Sequence, residues 1–244
     1  AFTVCDLYFT ASAGNSIPNH AFAIGADAEW TDRNPGVNYS VSLKTPGVPA
    51  RLLKAGKTWA NYGRGFAFQH YADPLMHTTP KSTFTQDAKA GKLPNASWVY
   101  APGGQDFHPG GRTSMKASDT WLGQALTALT QGPDWPRVVV FITFDDYGGW
   151  SDHLTPPLVE TFPRRKDPYR FGSRVPCVVA GPYAKAKHVS HVQSSHVSLV
   201  AFIERLWGLP PSPNADAARR TTAPDEHALA DCIDVTQKPL PPPA

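Results

Sequence analysis

Length, composition and charge already exclude several classes of protein. The chain has 244 residues, which allows one large domain or two small ones, and 41% of them are hydrophobic, which is too many for a disordered chain. The formal charge of +3 comes without a basic block, which argues against nucleic-acid binding, and no apolar run reaches the roughly 18 residues that a membrane span needs. The 3 cysteines lack CxxC spacing, which argues against a structural zinc site.

The first elements predicted along the chain are, in order, a strand, two helices and a second strand. Residues 2–9 are typical of an internal strand, and residues 17–24 predict a helix with Pro18 in its first turn. A short helix follows over residues 49–54, and a strand over residues 58–62. Residues 63–117 are rich in Gly, Pro, Thr and His, and we expect a long irregular excursion over the sheet edge.

The second half of the chain carries the clearest patterns. Apolar runs at 138–144 and 175–181 predict strands covered on both faces. One helix is predicted over 119–131 with Ser118 as its cap, and another runs to Trp207 from Ser194 or Ser195. We expect residues 239–244 to form a proline-rich tail at the periphery. This alternation predicts a single α/β domain over 1–244, with a mostly parallel sheet and helices on both faces.

Two adjacent carboxylates follow the strand predicted at 138–144. Asp145 and Asp146 precede a Gly-Gly pair and His153. Ligands of open α/β sheets bind at the carboxyl ends of strands, and paired carboxylates need a cation to neutralise their repulsion. A solvated acidic turn is the alternative interpretation.

Two further clusters could carry chemistry. Ser16 is predicted at a helix N-terminus, where the helix dipole favours an anion, although an ordinary helix cap would use the same residue. His108 precedes a proline in a polar loop, which suits phosphate binding or proton transfer as well as a plain surface position. His196 could face the same pocket from its helix, but packing or capping is the simpler interpretation.

These clusters together resemble the bacterial phosphoesterase family, which contains non-haemolytic phospholipases C and related acid phosphatases. Residues 16–20, Ser-Ile-Pro-Asn-His, resemble its [Ser/Thr]-x-Pro-Asn motif. Residues 106–109, Asp-Phe-His-Pro, are similar to its His-Pro loop, and residues 145–153 match its Asp-[Asp/Glu]-x-Gly-Gly-x-x-Asp-His block. The resemblance covers nearly the whole chain in the family's order.

The resemblance implies an alkaline-phosphatase-like α/β/α sandwich of three layers and a secreted or periplasmic enzyme. It implies metal-dependent hydrolysis of a phosphate monoester or a phospholipid-type diester through a phosphoseryl intermediate. Ser16 would be the nucleophile and, with Asp145 and Asp146, a ligand of one divalent metal ion. Asn19 would donate to a phosphoryl oxygen, and two histidines would stabilise charge or protonate the leaving oxygen: His108 and His153.

One departure from the family keeps two other functions open. The family's Glu-Asn metal block is not among residues 1–244, so we expect these residues alone to lack a complete site. A non-catalytic phosphate binder, or an inactive fragment, is therefore one alternative. A serine acyl hydrolase using Ser16 is the other, and it leaves the Asp-Asp pair unexplained.

Overall fold

The computed structural model describes residues 2–29, 31, 33–36, 40–63, 65–77, 79–110, 113–161, 168–223 and 227–242. Within these residues the helices are α1 Ser16–Gly25, α2 Val48–Lys54, α3 Phe84–Ala90, α4 Met115–Thr130, α5 His196–Trp207 and α6 Ala215–Thr221. The strands are β1 Phe2–Cys5, β2 Tyr8–Phe9, β3 Trp59–Tyr62, β4 Ala96–Val99, β5 Val140–Thr143, β6 Leu158–Thr161, β7 Pro168–Arg170, β8 Cys177–Ala180, β9 His188–Ser190 and β10 Ser194–Ser195. The α/β class is therefore confirmed.

The main sheet has the strand order β5-β8-β1-β9. Strand β8 runs antiparallel to both β1 and β5, and only the β1–β9 pair of this sheet is parallel. The expectation of a mostly parallel sheet is therefore wrong for the described residues. In the described part of the segment between β5 and β8, the chain forms the antiparallel pair β6–β7 and no crossover helix, and only parallel neighbours require such a crossover.

The two faces of the main sheet differ in their cover. Cys5, Cys177 and Val179 lie on one face and are buried against α5 and the C-terminal segment. Phe2 and Val4 alternate with these residues on β1 and remain exposed on the opposite face. The described helices therefore do not define three complete layers, and the sandwich stays a prediction.

A second hydrophobic core joins α1 to α5. Ile17 and Ile24 of α1 are fully buried in a cluster with Val197 and Val200 of α5. Burying two or three such side chains stabilises the contact by several kcal/mol, at about 2 kcal/mol each. This packing fixes the helix that begins at Ser16 relative to the helix that begins at His196, and both helix starts face the end of β5.

Several boundaries differ from the sequence predictions. Helix α4 begins at Met115 because Ser114 caps it by accepting the Ala117 N–H, so Ser118 is not the cap. The predicted excursion over 63–117 contains α3 and β4, which pairs in parallel with β3, while residues 64, 78, 111 and 112 lie outside the described residues. The α5 cap is Ser195, and the tail is exposed at residues 239, 241 and 242, with 243–244 outside the described residues.

Candidate active site

The centre of the site is a hydroxyl–carboxylate pair that joins a helix start to a strand end. Ser16 is the first residue of α1, and its Oγ donates a hydrogen bond of 3.0 Å to Asp146 Oδ2. The residue before the helix is Asn15, which makes no side-chain cap. The interpretation of Ser16 as an ordinary cap is therefore wrong, because its hydroxyl reaches across to the strand that is 130 positions away.

The Asp146 carboxylate is held by a turn that requires glycine. Its Oδ1 accepts the N–H of Gly148 at 2.8 Å, while Oδ2 accepts the Ser16 hydroxyl. Gly148 and Gly149 have φ of +63° and +81°, in the left-handed region that other residues adopt only with strain. A Cβ at Gly148 would also lie 2.9 Å from Pro109 Cγ. The Gly-Gly pair thus fixes the carboxylate and lets the His-Pro loop approach.

Asn19 holds the loop that precedes Ser16. Its side chain is fully buried, its Oδ1 accepts the Ser12 N–H at 2.9 Å, and its Nδ2 donates to the carbonyls of Ser12, Gly14 and Asn15. In this arrangement both amide hydrogens are engaged by the protein. The contact of Asn19 with a phosphoryl oxygen stays a prediction, and it would require the amide to give up part of this loop.

The helix N-terminus is also partly engaged. The Ile17 N–H donates to Asn34 Oδ1 at 2.8 Å, so this backbone donor is not available to an anion. Asn34 carried no sequence signal, because it lies in a loop with no motif around it. Its contact stabilises the first turn of α1 and with it the position of the Ser16 hydroxyl.

Two histidines contact Asp145. His196 Nε2 donates to the Asp145 carbonyl oxygen at 2.8 Å, and Tyr8 Oη donates to His196 Nδ1 at 3.0 Å. Burial lowers the pKa of His196 to about 4, so the ring is neutral and its Nε2–H tautomer is set by these two partners. His20 Nε2 lies 3.4 Å from Asp145 Oδ2 on the other side.

Neither role of these histidines was assigned from the sequence. His196 was interpreted as packing or capping, and the structure gives it a hydrogen bond to the site instead. His20 closes the Ser-Ile-Pro-Asn-His motif, and the sequence alone indicates no role for it. One signal was present: His20 follows Ser16 by four positions, so both lie on the same face of α1.

The loop carrying His108 lies against the Asp145–Asp146 turn. Phe107 packs edge to face on Phe144 with ring centroids 5.6 Å apart, and its N–H donates to Ser118 Oγ at 3.1 Å. Phe107 has a φ of +58°, which is unusual for a bulky residue. Together with the Pro109–Gly148 approach, these contacts bring the His108 backbone beside the carboxylates, while its side chain is exposed.

His153 lies further out. Its side chain is 90% exposed, and its described contacts are with Asp152 and Arg174. Arg174 donates two hydrogen bonds to the Asp152 carboxylate, at 2.8 and 2.9 Å, and these bonds hold the pKa of Asp152 well below its usual range. This pair anchors the segment, and the catalytic role of His153 stays a prediction.

The oxygen donors of the site are of the kind that a hard cation binds, but the described residues supply fewer ligands than such a cation takes. Asp145, Asp146 and Ser16 offer oxygen ligands, and the hydrogen bond between Ser16 Oγ and Asp146 Oδ2 brings two of these oxygens together. Such cations take about six ligands. Among the described residues there is no group of three His, Cys, Asp or Glu side chains arranged around a common metal position.

The fold and site thus define an α/β protein in which a helix-start serine meets paired carboxylates at a strand end. A family model described as "Phosphoesterase family" matches residues 1–210, and the chain therefore belongs to the phosphoesterase family. In the part of the chain that the structure describes, no helix has both the length and the apolar composition for crossing a bilayer.

Named relatives are phospholipases C. The chain is 26% identical to the non-hemolytic phospholipase C of Pseudomonas aeruginosa, covering 99% of this chain and 42% of that protein. It is 26% identical to phospholipase C B of Mycobacterium tuberculosis, covering 92% of this chain and 52% of that protein. It is 24% identical to the non-specific phospholipase C5 of Arabidopsis thaliana, covering 85% of this chain and 46% of that protein. The chain spans about half the length of these relatives.

Proposed function

We propose that this protein hydrolyses phosphate esters, with Ser16 as the nucleophile and a divalent cation held at Asp145 and Asp146. The observation that carries the proposal is the 3.0 Å hydrogen bond from Ser16 Oγ to Asp146 Oδ2, in a chain of the phosphoesterase family. The phospholipase C relatives favour a phospholipid-type diester as substrate, and a monoester is the other candidate. Family membership also supports the three-layer sandwich and a location outside the cytoplasm as predictions.

The contacts of Ser16 support a role in attack on phosphorus. Its hydrogen points toward Asp146 Oδ2, which is the acceptor that the structure offers this proton, and an oxygen lone pair is left for the substrate. As the Oγ–P bond forms, the bond to the leaving oxygen breaks, and His108 on its exposed loop is the candidate that protonates the leaving oxygen. Water then attacks the phosphoseryl phosphorus and gives a proton to His108, while the Oγ–P bond breaks and Ser16 takes its proton back from Asp146.

The cation would be held by Asp145, Asp146 and Ser16. When bound, it would lower the pKa of the Ser16 hydroxyl and neutralise negative charge on the phosphoryl group. The oxygen-only donor set favours Mg²⁺, Mn²⁺ or Ca²⁺ over metals that prefer nitrogen or sulfur.

The two alternatives have less support. An acyl hydrolase needs a histidine to take the serine proton, and the partner of the Ser16 hydroxyl here is a carboxylate. A non-catalytic phosphate binder would use the same residues without turnover, and only an assay separates it from the enzyme.

The test is an assay of the purified protein, expressed from its complete gene, with three substrates: p-nitrophenyl phosphate, p-nitrophenyl phosphorylcholine and p-nitrophenyl acetate. Each is offered with Mg²⁺, Mn²⁺, Ca²⁺ or EDTA. We expect hydrolysis of at least one phosphate ester that EDTA abolishes and that Asp146→Asn lowers by about 10²-fold or more. Acetate hydrolysis alone would identify an acyl hydrolase, and phosphate binding without turnover under any metal would identify a binder.

A further inference from the structure

Asp145 is contacted on both its backbone and its side chain by imidazole rings. His196 reaches its carbonyl oxygen, while His20 Nε2 lies 3.4 Å from its carboxylate Oδ2. The His20 side chain is only 12% exposed, whereas the Asp145 side chain is 33% exposed on a turn. An exposed turn residue samples several rotamers unless a fixed neighbour restrains it.

The other ring nitrogen of His20, Nδ1, contacts Tyr100. Tyr100 Oη lies within hydrogen-bonding distance of His20 Nδ1, at 3.4 Å, and the two rings pack with centroids 5.4 Å apart. Burial raises the pKa of Tyr100, so its phenol keeps its hydrogen and donates it to Nδ1. A carboxylate oxygen can only accept a hydrogen bond, so the His20 ring hydrogen lies on Nε2, toward Asp145, and Nδ1 accepts from Tyr100.

We propose that His20 is a positioning residue that donates from Nε2 to Asp145 Oδ2 and so holds this carboxylate in the orientation that binds the cation. The inference rests on the proposed function, because it takes Asp145 as a metal ligand. An N–H donor restrains one carboxylate oxygen, and Oδ1 remains available as a ligand. Loss of a partner that orients a metal ligand in this way typically weakens metal affinity by roughly 10- to 100-fold.

The test is Mn²⁺ binding to the purified protein, expressed from its complete gene, measured by isothermal titration calorimetry without substrate. His20→Leu removes the donor and keeps the bulk, so we expect its Kd for Mn²⁺ to rise about tenfold or more. His20→Gln places an amide N–H near the position of Nε2, so we expect its Kd to stay within about threefold of the wild-type value. If His20 has only a structural role, His20→Leu and His20→Gln should both lose thermal stability and Mn²⁺ affinity together, and that result would contradict the inference.

Three further variants make the outcomes distinct. His191→Leu is the matched control, because His191 is a 74% exposed histidine that pairs with Asp6. Tyr100→Phe removes only the hydroxyl that orients His20, and it should raise Kd by less than His20→Leu does. Asp145→Asn tests the proposed function itself, and it should weaken Mn²⁺ binding most.

Each result decides one of the two claims. If the wild-type chain does not bind Mn²⁺, or if Asp145→Asn binds it as the wild type does, the proposed cation site is wrong. If Asp145→Asn is impaired while His20→Leu and Tyr100→Phe bind normally, the site stands and the inference about His20 is overturned. If His20→Leu does not fold, normal binding by Tyr100→Phe overturns the inference on its own.

Discussion

The Ser16–Asp146 region and the His108–His153 region differ in how firmly the fold holds their functional groups. Ser16 and Asp146 lie at the ends of a packed helix and a sheet strand, and each is tied by hydrogen bonds to a defined partner. His108 and His153 lie on loops with exposed side chains. Groups fixed in advance cost no reorganisation during the reaction, whereas loop groups must be ordered by the substrate. We therefore expect the first region to dominate turnover and the second to modulate it.

The largest expected effect is at Ser16. Ser16→Ala should lower kcat by about 10³-fold or more because the nucleophile is lost, while the melting temperature stays close to that of the wild type. Ser114→Ala is the matched control, since Ser114 is a true helix cap whose loss costs about 1 kcal/mol of stability and should spare catalysis. Comparable activity losses in both variants would contradict the distinction.

The buried side of the site should also be sensitive to acid. The pKa of His196 falls from 6.5 in the unfolded chain to about 4 in the fold. The unfolded state therefore binds a proton first, and stability present above pH 6.5 is lost as the pH falls through about 4. This histidine should cost about 3 kcal/mol of unfolding free energy over that window. Urea unfolding in EDTA buffer should show a smaller loss in His196→Gln than in the wild type, and equal losses would contradict the assignment.

Substitution of the two loop histidines, His108 and His153, should lower kcat to different extents. The His108 loop packs against Phe144 and Gly148, so His108→Ala should lower kcat by about 10²-fold, as expected for a group that transfers a proton. His153→Ala should lower it by less than about tenfold, because that ring is 90% exposed and its described contacts are with Asp152 and Arg174. The reverse order, measured on the same substrate, would show that the loops rearrange on binding.

A smaller loss of stability than that from His196 is expected for the loop before Ser16. Asn19→Ala removes the partners of the buried N–H and carbonyl of Ser12 and of the part-buried carbonyls of Gly14 and Asn15, so we expect a loss of about 2 kcal/mol in unfolding free energy. A role only in binding the phosphoryl group predicts unchanged stability and reduced turnover. Chemical denaturation and kinetics on this one variant therefore distinguish the two roles.

The same contrast explains what could be predicted from the sequence. Ser16 and the Asp145–Asp146 pair were found because helix starts and strand ends follow local rules, and the caps of α1 and α5 lie within a residue or two of their predicted places. The direction of β8 and the β3–β4 pair were missed because periodicity does not encode strand direction, and the Ala-Ser-Trp-Val of β4 is too short to show a period.

The missed contacts are all long-range. Tyr100 lies 80 positions from His20, and His196 lies 51 positions from Asp145, so no local pattern links them. Asn34 carries no motif, yet it occupies the backbone donor beside the nucleophile. The packing of α1 against α5 is of the same long-range kind, because the sequence suggests it only as two separate apolar helix faces.

The most direct test of the account is to trap the phosphorylated enzyme. The wild-type chain is incubated with a phosphate ester and the activating metal, quenched in acid, digested and analysed by mass spectrometry. We expect a phosphoryl adduct on the peptide that contains Ser16, and none in Ser16→Ala treated in the same way. Turnover by the wild-type chain with the adduct on a histidine, or turnover retained by Ser16→Ala, would contradict the central claim.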